Sequence, residues 1–244
     1  MPPFRIIATL ALVTGTLCAQ TPTEPDPRGG SVTPEAGANL EALVADRPEL
    51  LTLMKPQDDV WTWLEVHFAN HGWTIRWSNN QATLAHYLAR HTYTTDGHPV
   101  IFIARQLRSG APVSAEAQLS GLVFELLNAT HEYEFEDVAA RGERGEMSRD
   151  DFILANARIE FSVCRATQDF YHDVWEPHVL RNHLRDRGGN WHLAISDDFD
   201  DWIAYHRSVS RDGYPDDVYG REYDALIARH RAEEKGPAVT SSGT

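Results

Sequence analysis

The sequence predicts a helix-rich α+β fold, a single domain with a small β-sheet early in the chain. Three observations predict it. Apolar residues recur at helical spacing through two long segments, near 114–137 and 148–171. Strand-like alternation is confined to residues before 108. The composition, 42% hydrophobic and 24% charged over 244 residues, is that of an ordinary globular chain long enough to bury a core without disulfide staples. No apolar run reaches the roughly 20 residues needed to cross a bilayer. The formal net charge of −14 repels phosphate backbones, so no nucleic-acid partner is expected.

The first segment reads MPPFRIIATLALVTGTLCAQ. Arg5 precedes an apolar stretch from Ile6 to Leu17, and the small residues Cys18 and Ala19 follow. That order predicts a secretory signal peptide over residues 1–19 and an exported protein, periplasmic or secreted. Residues 20–38, rich in proline and glycine, predict a flexible linker, and 236–244 a similar tail. The folded unit is expected over 39–235. Once Cys18 leaves with the signal, Cys164 stands alone among apolar neighbours and reads as a packed core thiol.

Within the folded unit, Leu40, Leu43 and Val44 predict a short helix over 39–46. Residues 61–78 divide at Gly72, with Trp73, Ile75 and Trp77 alternating as a strand. Asn80 is placed to cap a helix through about Arg90 that buries Leu84 and Leu88. Residues 99–107 are the clearest strand, and Val100 to Ala104 are expected at the sheet edge. Ser114 caps a long helix to about Asp137, and Ser148 with Asp151 forms a capping box for a second helix to about Tyr171. Shorter helices are expected near 175–186, 198–209 and 217–232. Trp63 and Trp77 are expected to fill core.

The two long helices carry the functional signal. On the first, Leu119, Leu122, Val123, Leu126, Thr130 and Tyr133 cluster in one arc, which faces the core. The other side carries Gly121, Phe124, Glu125, Asn128, His131 and Glu132, unlike the Lys/Glu pattern of a solvated helix. On the second, Glu160 falls among Ile153, Ala157, Val163 and Cys164. A carboxylate there needs an ion pair, a tyrosine or tryptophan donor, a metal, or a raised pKa.

The strand, loop and helix reading GLVFELLNATH resemble the active-site region of the zincin-like metallopeptidases. In that family H-E-x-x-H places two imidazoles on one helix face, and the intervening glutamate activates zinc-bound water. Here the frame is Phe124-Glu125-Leu126-Leu127-Asn128. Glu125 fills the general-base position, while Phe124 and Asn128 replace both histidines. Glu160 matches the downstream glutamate ligand of one branch. Phenylalanine cannot bind a metal, and an amide is a poor zinc ligand. The resemblance therefore implies a strand–loop–helix–helix scaffold without its metal, a pseudoenzyme needing no cofactor. It would bind a protein or peptide in a cleft lined by Phe124, Glu125, Asn128, His131 and Glu160.

Two alternatives stay open. One is a metal-dependent hydrolase using Glu125 and Glu160 with histidines from elsewhere, such as His131, His67 and His71. The pair His67 and His71 stands at metal-binding spacing if its segment is helical. The other is a structural envelope protein. The acids of SDDFDDW read as a helix N-terminus with Phe199 and Trp202 packed inward, since the glycine and terminal glutamate of a calcium loop are missing. His86, His91, His178 and His183 read as surface or core residues.

Overall fold

A computed structural model describes residues 34–71, 73–78, 88–93, 99–107, 109–185, 188–193, 196–210 and 213–234. The expected signal peptide, most of the expected linker, the expected tail and residues 80–87 of the helix expected from Asn80 lie outside them. The described chain is helix-rich α+β with a three-stranded sheet, and no described helix is long and apolar enough to cross a membrane. It divides into two compact units. One holds the described residues through Thr130 together with Val163–Leu193. The other holds His131–Ser162 and the described residues from Ser196 onward.

The first unit begins with α1, Pro34–Asp46, a short 3-10 turn, Pro48–Thr52, and α2, Asp59–His71. Helix α1 thus starts inside the stretch read as linker. Strands β1 (Thr74–Ser78), β2 (Ala89–Tyr93) and β3 (Pro99–Ala104) form a sheet in the order β1-β3-β2. β1 runs parallel to β3, and β2 antiparallel to it. Two expectations are corrected here. Arg90 lies in a strand rather than a helix. Val100 to Ala104 lie in the central strand rather than at an edge, because PVIFIA is apolar on both faces and such a strand gains most with a neighbour on each side.

Helix α3, Ala115–Thr130, packs on β2 and β3 and is capped by Ser114, whose Oγ accepts the Ala117 N–H at 3.1 Å. Around it gather Leu40, Leu64, Phe68, Trp73, Ile101, Ile103, Leu122, Leu126, Trp175 and Trp191, the core of this unit. Trp63 and Trp77 are half-buried at its margin, whereas Trp73, Trp175 and Trp191 fill it. The last turns of α5 (Arg149–Phe170), a π-turn at Tyr171–Trp175 and α6 (Glu176–Arg181) complete the unit.

The second unit contains α4 (Glu132–Glu143), the first part of α5, α7 (Phe199–Val209) and α8 (Asp216–Glu234). The helix expected from Ser114 to Asp137 is therefore two helices, parted at His131, whose backbone leaves helical geometry (ψ 9°). Thr130 turns its hydroxyl back onto the Leu127 carbonyl at 2.6 Å, and the acids Glu132 and Glu134 favour a fresh N-terminus. Tyr133, assigned to the core arc, is exposed as a result. The capping box at α5 forms as read: Ser148 Oγ accepts the Asp151 N–H at 3.1 Å and donates to Asp151 Oδ2 at 2.6 Å. α4 packs on α8, and the Gly142 backbone lies so close to the Phe152 ring that a Cβ would sit 2.8 Å from it. The acids of SDDFDDW cap α7, with Asp198 accepting the Asp200 and Asp201 N–H groups and Phe199 and Trp202 buried.

Candidate functional site

Helix α3 is buried nearly all round, and that explains its unusual polar side. Gly121 permits close approach of β2: a Cβ there would lie 3.2 Å from the Ala89 Cβ. One turn on, Glu125 reaches the same strand. Its Oε2 accepts the His91 backbone N–H at 3.1 Å and the ring Nδ1–H at 2.6 Å. Glu125 is 3% exposed and His91 is equally interior, its ring edge-on to Trp73. Among the described strands β2 ends the sheet on that side, so its outward N–H groups have no described strand to donate to. The Glu125 carboxylate supplies the acceptor instead.

A second stripe of α3, formed by Glu116, Ser120 and Phe124 at four-residue spacing, is covered by the segment Gly189–His192. Ser120 Oγ accepts the Asn190 N–H at 2.9 Å, and Glu116 Oε1 accepts the Trp191 indole N–H at 3.2 Å. The His192 ring stacks on Phe124 with centroids 4.9 Å apart. Gln168 on α5 donates to the His192 carbonyl at 2.6 Å, which holds that residue in left-handed backbone (φ +59°). Asn128, a turn beyond Glu125, is 0% exposed, and its amide nitrogen and oxygen have no hydrogen-bond partner among the described residues.

In the second unit Glu160 is 4% exposed, and the Tyr214 hydroxyl donates to its Oε2. The Tyr214 ring stands beside His206, which also packs on Trp202 at 4.5 Å. Burial pulls the His206 imidazole down to about 4, and burial pushes the Glu222 carboxyl on α8 up to about 7. His131, at the N-terminus of α4, pairs with Glu134 at 2.8 Å.

Of the five residues assigned to the cleft, Phe124, Glu125 and Asn128 belong to the first unit, and His131 and Glu160 to the second. His67 lies on α2, stacked on Trp63 with its Nδ1 2.9 Å from the Trp63 carbonyl oxygen; the His71 side chain lies outside the described residues. Among the described residues, no three His, Cys, Asp or Glu side chains converge as a metal site. Sequence reasoning allows His91 as a core residue but misses its pairing with Glu125, and misses the roles of His192 and Gln168. For His91 a signal existed: a histidine on a strand pleat with alternate apolar neighbours points inward and needs a partner. Nothing in a string of residues pairs it with Glu125, 34 positions away. No family model, curated protein or solved structure matches this chain.

Proposed function

We propose that the chain is an exported protein with a metallopeptidase-like scaffold that has given up metal chemistry and binds a protein or peptide. The observation that carries this reading is the engagement of Glu125. A carboxylate that activates a metal-bound water must face that water. This one is buried and held by a strand backbone and a histidine ring. Phe124 and Asn128, at the ligand positions of the family frame, are equally interior, and Phe124 stacks on His192. Helix α3 serves as a girder for the sheet. Peptide binding is favoured over a purely structural role by the small sheet itself. No described strand pairs with the outer side of β1, and an unpaired strand edge is a template for an added segment.

The test joins a peptide-display selection against the chain to elemental analysis for zinc and a peptide-hydrolysis assay on the parent and Glu125→Gln. Enriched peptides, no zinc and no hydrolysis are expected. About one zinc per chain, with cleavage abolished in Glu125→Gln, would overturn the reading.

A further inference from the structure

The pleat sorts the sheet into two faces. Ile75, Trp77, Ala89, His91, Ile101 and Ile103 share the face on which α3 packs. The opposite face carries a row across all three strands: Arg76 pairs in register with Phe102, and Phe102 with Arg90. Thr74, Ser78 and Thr92 flank the row, so these positions hold no acid. Val100 and Ala104, at the ends of the central strand, are buried, whereas Phe102 and Arg90 are half-buried and Arg76 is exposed.

The arginines are unusual for this chain. It carries 36 acids against 22 lysines and arginines, so carboxylates are plentiful. Yet among the described residues neither the Arg76 nor the Arg90 side chain has an ion pair or hydrogen bond, and the Arg90 Nε is buried without a partner. A half-buried guanidinium loses hydration without gaining an anion, a cost that a bound carboxylate would offset through bidentate, charge-assisted hydrogen bonds. The two arginines stand two inter-strand spacings apart, roughly 10 Å between backbones, with an aromatic ring midway.

We propose that this face docks an acidic peptide, two of whose carboxylates engage Arg76 and Arg90 while an apolar side chain between them covers Phe102. The inference rests on the peptide-binding reading above, adds the partner's charge, and places the partner across the face of the sheet rather than along the β1 edge. In an extended peptide, residues two apart point the same way, so acid–x–apolar–x–acid meets all three positions; the arginine side chains absorb the difference between its span and theirs.

The probe is a labelled peptide with a Glu-x-Leu-x-Glu core, titrated by fluorescence anisotropy against the chain, beside its Gln-x-Leu-x-Gln counterpart. The acidic peptide should bind at least about tenfold more tightly, with affinity falling as salt rises. Arg76→Gln and Arg90→Gln should each lower that affinity about tenfold. Arg90→Lys, which keeps the charge, controls for misfolding and should retain part of it. Equal binding by the parent and both glutamine variants, or no preference for the acidic peptide, overturns the proposal. If display-selected peptides still bind in that case, the peptide-binding reading stands and only this face is lost. If no peptide binds at all, both fall.

Discussion

In the first unit the Glu125 carboxylate receives two hydrogen bonds from one strand residue, a backbone N–H and a ring N–H. In the second, Glu160 is met by a phenol, Tyr214, reaching it from 54 residues downstream. Both carboxylates sit among apolar neighbours on long helices, and both are sealed from solvent. The difference lies in what each holds. Glu125 ties a helix to the backbone of a terminal strand, so its loss strips an acceptor from the sheet as well as from a side chain. Glu160 ties a helix to the turn between α7 and α8, and its loss takes an acceptor from one side-chain hydroxyl but none from a strand backbone. A buried carboxylate is thus no signature of chemistry until its partner is known.

The largest effect is expected at the first of these. Glu125→Ala leaves the His91 backbone and ring donors unanswered in the interior, and should cost about 3 kcal/mol, read from the urea denaturation midpoint. A cost below about 1 kcal/mol would break the contrast. Tyr214→Phe removes the phenol donor to Glu160 and should cost about 2 kcal/mol by the same measurement.

The pH dependence of the second unit sharpens the comparison. Folded Glu222 holds its proton up to about pH 7, whereas its ordinary value is 4.5, so stability falls as pH rises through that window. Folded His206 refuses its proton down to about pH 4 against an ordinary 6.5, so stability falls as pH drops through that window. The two slopes oppose each other between 4.5 and 6.5. Glu222→Gln should leave the histidine slope alone, and thermal scans should show Tm climbing more steeply with pH over that interval than in the parent. An unchanged profile would mean that Glu222 ionises normally. The smallest effect has the opposite sign. Asn128→Leu replaces an unpartnered buried amide with an apolar side chain of similar size and should raise stability by about 1 kcal/mol.

Local rules carried far. The cap at Ser114, the capping box at Ser148, the acidic start of α7, the β1 alternation and the inward course of Glu160 are all legible, because each depends on residues within a turn or two. A tyrosine donor for Glu160 was among the readings its neighbours allowed, although which tyrosine was not. Val100 to Ala104 read at an edge and Arg90 in a helix because strand order and pairing depend on contacts from distant chain. The α3–α4 break instead rests on local groups, the Thr130 hydroxyl and the acids after His131, that helical periodicity does not weigh. Half of α3 reads as a polar face, but Glu125 is spent on β2 and Glu116 and Ser120 on Gly189–His192, while Asn128 is buried without a described partner. A helical-wheel reading cannot distinguish a face turned to a ligand from one turned to the rest of its own fold.

The segments of the two units alternate along the chain: first unit, second, first, second. That interleaving bears on synthesis. As the chain leaves the ribosome, the strands and α3 emerge early, but the turns of α5 and the Gly189–His192 cover that complete their unit follow only after α4 and the first half of α5. Until that cover arrives, Phe124 and Glu116 lack the partners that Gly189–His192 supplies. No single cut releases either unit whole, so each core needs both of its chain segments to close.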